Sequence, residues 1–324
     1  MNPPAPIALG IQIVPVMGSA EVVDTIRAAE ELGYRHCMVA DEGLMQDVYV
    51  CLGAAAEVTD RIRLGVVTNG YTRHPAATAA ALATVDELSG GRAFVTLVAG
   101  GTMVLHPMGI ERAAPFTVLD ETIDIFRALW TGEPVSFEGT RFRLDGAQLS
   151  LGAHDIPIWV AARGERILDL AGRKADGVVL MVKSDIGQAL EVVDGPGRDV
   201  TRVYLDRLAF TAEMLEEAKG LYGYAILDSP PRMLRSLGID DDAIASMRAA
   251  FAEGGPAAVA PLVTDEMVGA YQIVGTVEEC RVQLAEMIRN HRLDAFCLNI
   301  IAPGLEANRR LMAEVAEIVR GVTP

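Results

Sequence analysis

Positive charge, paired cysteines, clustered histidines and long apolar runs are all scarce in this 324-residue chain, and each shortage removes a class of function. Lys and Arg total 28 against 44 Asp and Glu, a formal net charge of -16. Such a field repels phosphates before contact, so small molecules and other protein chains are the expected partners, not nucleic acid or an acidic membrane. Cys37, Cys51, Cys280 and Cys297 contain no CxxC pair and fall in predicted strands or helices, which reads as buried reduced thiol. The five histidines form no HExxH and no ligand-spaced group with Asp or Glu, so no metal site is expected. GxSxG and the phosphate loop GxxxxGK(S/T) are missing too. The Ala-rich run from Ala76 to Val85 is too short to span a bilayer, and the first residues, MNPPAP, have neither the basic region nor the apolar core of a signal peptide; a cytoplasmic location is expected.

What remains is a chain that is 51% hydrophobic, enough for a large core. Strand-like runs occur at Ile7–Val14, His36–Ala40, Ile62–Val67, Ala93–Val98, Ile158–Ala161, Gly177–Met181, Val203–Phe210 and Ala295–Ile300. Helical patterns separate most of them, at Glu21–Leu32, Val48–Val58, Ala76–Leu88, Val118–Leu129, Arg166–Ala171 and Val277–Ile288. This alternation predicts an α/β fold, a (β/α)8 TIM barrel forming one domain over residues 1–324. Arg202 and Arg207 interrupt the apolar pattern of the seventh run. Two stretches exceed a minimal barrel. Val135–Leu149 alternates around Glu138-Gly139 and predicts a β-hairpin inserted before the fifth strand. Leu215–Met267 is helical, punctuated by Ser229-Pro230-Pro231 and Gly254-Gly255-Pro256, and too long for one crossover. Thr276-Val277-Glu278-Glu279 is a capping box that starts a helix and carries no chemistry.

Ligands in parallel α/β folds sit beyond the carboxyl ends of the strands, which directs attention to the polar loops there. The third run leads into Thr68, Asn69, Tyr71, Thr72, Arg73 and His74, followed by Pro75 at a helix start and Ser89-Gly90-Gly91 at its end. Asp41 and Glu42 follow the second strand; paired carboxylates there suit general acid or base work, with burial and mutual repulsion raising one pKa, or serve as a helix cap beside a solvated acid. Gln12 is an amide in an apolar strand, so it either bonds a neighbour or points at a ligand. His74 and His106 each precede a proline in a loop and read as caps or packing residues before catalysts. Ala161 to Arg166 leads into a helix whose free amides, with Arg163 nearby, suit a phosphate, and Lys183 and Ser184 are placed to reach the same anion.

Taken together, Gly10–Pro15, Thr68–Pro75, Glu87–Arg92, Pro157–Val179 and Leu262–Glu279 resemble the luciferase-like flavin and deazaflavin oxidoreductases, most of all the branch of methylenetetrahydromethanopterin reductases that use coenzyme F420. The resemblance implies an oxidoreductase passing a hydride between the deazaflavin and a small organic substrate, reducing C=C, C=N or C=O or running the reverse. It implies a ring backed by a non-prolyl cis peptide at Val66–Val67, lined by Thr68 and Asn69 and on its other side by Ala99, Gly100 and Gly101, with Ala162, Arg163, Gly164 and Glu165 at the phosphate. Similar reductases carry glutamate, histidine and aspartate where Gln12, Glu42 and Gly101 stand here, so Glu42 is the candidate proton donor in place of Gln12. Two alternatives stay open: an FMN-dependent monooxygenase using reduced flavin and oxygen, and a non-catalytic ligand-binding relative. A homodimer is expected from the family and from abundant apolar helix surface.

Overall fold

A computed structural model describes residues 7–322 except 228 and 230. In chain order its elements are β1 (Ala8–Ile13), α1 (Ser19–Glu31), β2 (His36–Ala40), α2 (Val48–Ala56), β3 (Arg63–Thr68), α3 (Pro75–Ser89), β4 (Ala93–Leu97), α4 (Thr102–Leu105) and α5 (Pro115–Leu129). There follow β5 (Val135–Glu138), β6 (Arg143–Ala147), β7 (Ile158–Ala161), α6 (Glu165–Lys174), β8 (Gly177–Leu180), α7 (Ile186–Asp194) and β9 (Thr201–Asp206). The chain ends with α8 (Ala212–Leu227), α9 (Pro231–Ser236), α10 (Asp241–Val259), α11 (Asp265–Tyr271), α12 (Val277–His291), β10 (Ala295–Ile300) and α13 (Leu305–Arg320).

Eight parallel strands close into a barrel in the order β1-β10-β9-β8-β7-β4-β3-β2, and β5-β6 stand apart as the antiparallel hairpin expected before the fifth barrel strand. Strand periodicity sorts the side chains into two cores. Met38, Phe94, Trp159, Val179, Val203 and Cys297 fill the barrel interior, while alternate residues such as Ile11, Leu64, Val95 and Leu298 pack outward under the helices. The interior floor is crowded by the Phe94 and Trp159 rings, whose centroids lie 4.6 Å apart. Glycine faces them for want of room: a Cβ at Gly65 would lie 2.4 Å from the Phe94 ring, and one at Gly177 2.5 Å from Trp159.

The Ser-Gly-Gly-Arg turn is structural. Gly90 and Gly91 have φ of +67° and +86°, a region costly for any side chain, and they lead the chain back to place Arg92. Its guanidinium donates to the carbonyls of Ala56, Thr59, Ile62 and Ser89 and to the Thr59 hydroxyl, tying α2, β3 and α3 together at the strand amino ends. Glu121 does similar work for the hairpin: buried on α5, it accepts from the backbone amides of Thr140, Arg141 and Phe142. The capping box is present as expected, Thr276 Oγ1 accepting from Glu279 N and Glu279 Oε2 from Thr276 N.

Two expectations are corrected. The seventh strand does not reach Phe210: it ends at Asp206, because Leu208 takes the left-handed conformation with φ +52° and turns the chain out of the sheet. Arg202 does not interrupt it either; its guanidinium lies over the His291 carbonyl and Asp194 carboxylate. Among the described residues every peptide bond is trans, so the cis bond expected at Val66–Val67 is absent. β3 runs straight through that bond, with Val66, Val67 and Thr68 in unbroken register against Val95, Thr96 and Leu97. Both faces are committed there, Val66 packing under the helices and Val67 against the barrel interior.

The long stretch after β9 forms α8 to α11, which pack around their own apolar cluster of Ile226, Met233, Met247, Val259, Val268 and Tyr271. It is fastened to the barrel just beyond β9, where Ala209 N donates to Ile273 O and Gly275 N to Ala209 O. The helices thereby roof one side of the barrel's carboxyl end.

Candidate active site

Polar side chains gather at that end in two groups. The first is built by the loops after β2, β3 and β4. The sheet ladder extends into them, Asp41 N donating to Val67 O and Val98 N to Thr68 O, so these residues are positioned by the barrel itself. Asp41 is saturated: it accepts from Thr68 Oγ1 at 2.9 Å, Thr72 Oγ1 at 3.4 Å and Gly43 N at 3.2 Å. Glu42, next to it, is half-buried, and its carboxylate accepts no hydrogen bond among the described residues. Burial first, and the neighbouring Asp41 charge second, push its pKa above the usual carboxylate value. The two acids thus differ as sequence spacing alone could not show: one is pinned as an acceptor, the other is free to hold a proton. The helix cap is a third acid, Asp47, whose carboxylate accepts from Tyr49 N and Val50 N.

Thr68 and Asn69 are buried. Asn69 Oδ1 accepts from Tyr71 N and Thr72 N, which shapes the loop and leaves its amide N–H groups without an acceptor among the described residues. Gly100, φ +81°, lies against the Tyr71 ring, so the Ala99–Gly101 turn abuts the Asn69 loop. A Cβ at Gly101 would meet only Val104, at 3.9 Å, so the backbone there is open. His74 caps α3, Nδ1 accepting from Ala76 N, and His106 lies in a short turn of 3-10 helix; neither joins the acids.

The second group surrounds a cavity of about 260 Å³ between β1, β7 to β10 and the roof helices. Gln12 and Arg163 line it; Asp41 and Glu42 do not. Gln12 satisfies both of its expected readings, since it faces the cavity and its amide donates to Asn299 Oδ1 at 3.4 Å. Arg163 turns toward the roof, donating to Ala225 O at 3.1 Å and Ser229 Oγ at 3.3 Å, and Ser229 shares a hydrogen bond of 2.6 Å with Tyr271. Behind it, Gly164 caps α6 with no side-chain partner, and a Cβ there would meet nothing within 4 Å. The amides opening α6 are therefore accessible, with Ala162 buried before them and Glu165 exposed after. Lys183 is tied elsewhere: its amine donates to Gln283 Oε1 at 3.0 Å, and Gln283 in turn to Val274 O.

Asn299, Asp206 and Arg207 also line the cavity, and the sequence reading did not select them. Asn299 carries the signal that marked Gln12, an amide in an apolar strand. Arg207 was visible only as a charge interrupting a strand, and Asp206 beside it gave no signal. Asp206 is 3% exposed, and its oxygens accept from Tyr204 Oη, Ile273 N, Arg207 N and Leu208 N. Burial pushes its pKa up to about 6 against the pull of those donors. Among the described residues no group of three His, Cys, Asp or Glu could hold a metal ion, and no helix is long and apolar enough to cross a membrane.

The site fits a planar coenzyme with an anionic tail. Open backbone at Gly101 and the buried Thr68–Asn69 edge suit a ring, and the uncapped start of α6 suits a phosphate.

Known proteins bear on this geometry directly. The chain is 31% identical over 293 residues to the 5,10-methylenetetrahydromethanopterin reductase of Methanolobus tindarius, covering 86% of this chain and 90% of that protein. The coenzyme F420-dependent tetrahydromethanopterin reductase structure from Methanopyrus kandleri superposes with a TM-score of 0.88 at 22% identity, covering 99% of this chain and 100% of that one. An F420-dependent secondary alcohol dehydrogenase bound to an F420-acetone adduct superposes with a TM-score of 0.76 at 19% identity, covering 99% and 100%. The family model for luciferase-like monooxygenases matches residues 8–294, and the chain belongs to that family.

Proposed function

We propose that this protein is a coenzyme F420-dependent oxidoreductase that moves a hydride between the deazaflavin and a small organic substrate carrying a C=C, C=N or C=O bond, in either direction. The observation that carries the reading is the match to a 5,10-methylenetetrahydromethanopterin reductase over 86% of this chain and 90% of the relative, supported by 33% identity over 194 residues to an F420-dependent glucose-6-phosphate dehydrogenase. When bound, the coenzyme supplies the hydride chemistry. Thr68 and Asn69 would edge its ring, with Val67 and only the backbone of Val66 behind it; Ala99 to Gly101 would lie along the opposite side, and Ala162 to Glu165 would meet its phosphate, with Lys183 beyond.

The chain's own work is positioning and proton handling. Glu42, its pKa raised by burial and by Asp41, holds a proton nearer neutral pH than an ordinary glutamate and serves as donor or acceptor to the substrate. Asp41, held by Thr68, Thr72 and Gly43, fixes the loop that carries Glu42. Gln12 cannot donate as an acid and serves as a hydrogen-bonding wall with Asn299. We further read the protein as a cytoplasmic homodimer; Leu44 and Val50, 73% and 70% exposed, support the second part of that reading.

The test is turnover of reduced coenzyme F420 across a panel of enones, imines and ketones, with Glu42→Gln alongside wild type. Coenzyme oxidation by wild type and a fall of about 10²-fold or more in the variant support the reading; equal rates remove Glu42 from the chemistry. The family description favours a second reading, an FMN-dependent monooxygenase. Oxygen uptake with reduced FMN, and none with reduced F420, would establish it instead.

A further inference from the structure

The cavity beneath the roof helices is lined by a cation without a hydrogen-bonded or ion-paired partner among the described residues. Arg207 lines it, and among the described residues its guanidinium makes neither a hydrogen bond nor an ion pair. The neighbouring acid is not available: both oxygens of Asp206 are already taken by four donors, one of them the Arg207 backbone N–H. Those same bonds hold the turn through Leu208 that swings Arg207 out of β9 and over the barrel mouth. Burial draws the Arg207 pKa below its ordinary value, with Tyr222, Glu217 and Asp206 only opposing that pull. A half-buried guanidinium that reaches no protein acceptor among the described residues carries a desolvation cost that an anion in the cavity would offset.

The rest of the wall says what kind of anion belongs there. Apart from Arg207 the wall is mostly apolar; its polar groups include the Gln12 and Asn299 amides, Arg163, already bonded to Ala225 and Ser229, and Asp206, whose oxygens are turned to their four donors. A volume of about 260 Å³ lies below the usual range for drug-sized ligands. One planar fork matches one carboxylate through two parallel N–H···O bonds.

We propose that this cavity holds the carboxylate-bearing end of the substrate, with the reacting end extending out of it toward Glu42, and that Arg207 recognises that carboxylate on a small, largely apolar organic acid. The assignment rests on reading the barrel mouth as an F420-dependent active site, with the coenzyme along β3, β4 and β7 and the substrate facing β1, β8, β9 and β10. Arg207 is then a specificity-determining residue, and Gln12 and Asn299 set the orientation of the acid's far end.

The experiment is calorimetric titration of the purified protein with benzoate, its neutral isostere benzamide, and inorganic phosphate, with coenzyme F420 titrated into the same samples. Benzoate is expected to bind at least about tenfold more tightly than benzamide or phosphate, and Arg207→Gln to abolish that preference while leaving F420 affinity within about twofold. Arg207→Lys keeps the charge without the fork and is expected to retain only part of the preference; it also serves if the glutamine variant does not fold. Equal binding of benzoate and benzamide, binding of neither, tighter binding of phosphate, or an unchanged benzoate affinity in both variants overturns the carboxylate assignment. F420 binding that survives such a result leaves the functional reading standing. Benzoate binding without F420 binding overturns the functional reading and not the anion site.

Discussion

Replacing Asp206 by asparagine tests how the roof helices are fastened to the barrel. The carboxylate accepts from Tyr204 Oη at 2.5 Å and Ile273 N at 2.8 Å on one oxygen, and from Arg207 N at 2.5 Å and Leu208 N at 3.2 Å on the other. An amide has one acceptor oxygen, so two of the four donors must face its nitrogen. The Tyr204 hydroxyl can turn to accept, but a backbone N–H cannot, and each stranded donor costs about 1–3 kcal/mol. A destabilisation of about 2–4 kcal/mol is expected at about pH 7.5, where the carboxylate is ionised. The pH dependence adds a second constraint. A pKa raised by burial from 3.8 to about 6 corresponds to about 3 kcal/mol of native-state preference for the protonated acid. That stabilisation is full below the unfolded pKa and is lost as pH rises through about 6. The asparagine variant has no such term, so its deficit should shrink by about 1–1.5 kcal/mol between about pH 5 and about pH 7.5. Urea unfolding followed by circular dichroism at the two pH values measures both numbers. A deficit that is constant, or that grows toward higher pH, would show that burial does not hold Asp206 protonated in the native state.

Other consequences are as direct. Arg92→Ala removes hydrogen bonds to four backbone carbonyls and one hydroxyl and should lower the urea midpoint by the equivalent of about 2–4 kcal/mol, with Arg92→Lys recovering less than half because an ammonium cannot span the same acceptors. Gly65→Ala forces a methyl toward the Phe94 ring and should cost about 1–3 kcal/mol; adding Phe94→Leu should return part of that loss, and a purely additive double variant would contradict the packing argument. Glu42→Gln should lower turnover by about 10²-fold while the coenzyme dissociation constant changes little, as checked by steady-state kinetics and titration.

Much of the architecture is legible because barrel strands and their helices announce themselves locally. A β-branched run, a polar loop, a proline at a helix start and a Gly-Gly turn are all contained within Ile62–Arg92, and the structure places β3, α3 and the start of β4 accordingly. The hairpin and the capping box are equally local. The end of β9 is not, because it depends on Leu208 adopting φ +52° under hydrogen bonds to Asp206, and Asp206 is in turn fixed by Ile273 from a distant segment. The same non-local contact decides the site. Gln12 was readable as a misplaced amide, and Asn299 should have been by the same rule. Arg207 read as a flaw in a strand, and Asp206 went unmarked, because only the roof helices enclose them. For Asp41 and Glu42, adjacency was visible but the division of labour was not, since it depends on hydroxyls from the loop after β3.

Coenzyme choice separates the deazaflavin enzyme from the flavin monooxygenase, and titration of the purified protein with coenzyme F420 and separately with FMN, followed by coenzyme fluorescence, measures it. Saturable F420 binding is expected, with FMN bound far more weakly or not at all. Preference for FMN, or binding of neither coenzyme, would contradict that expectation.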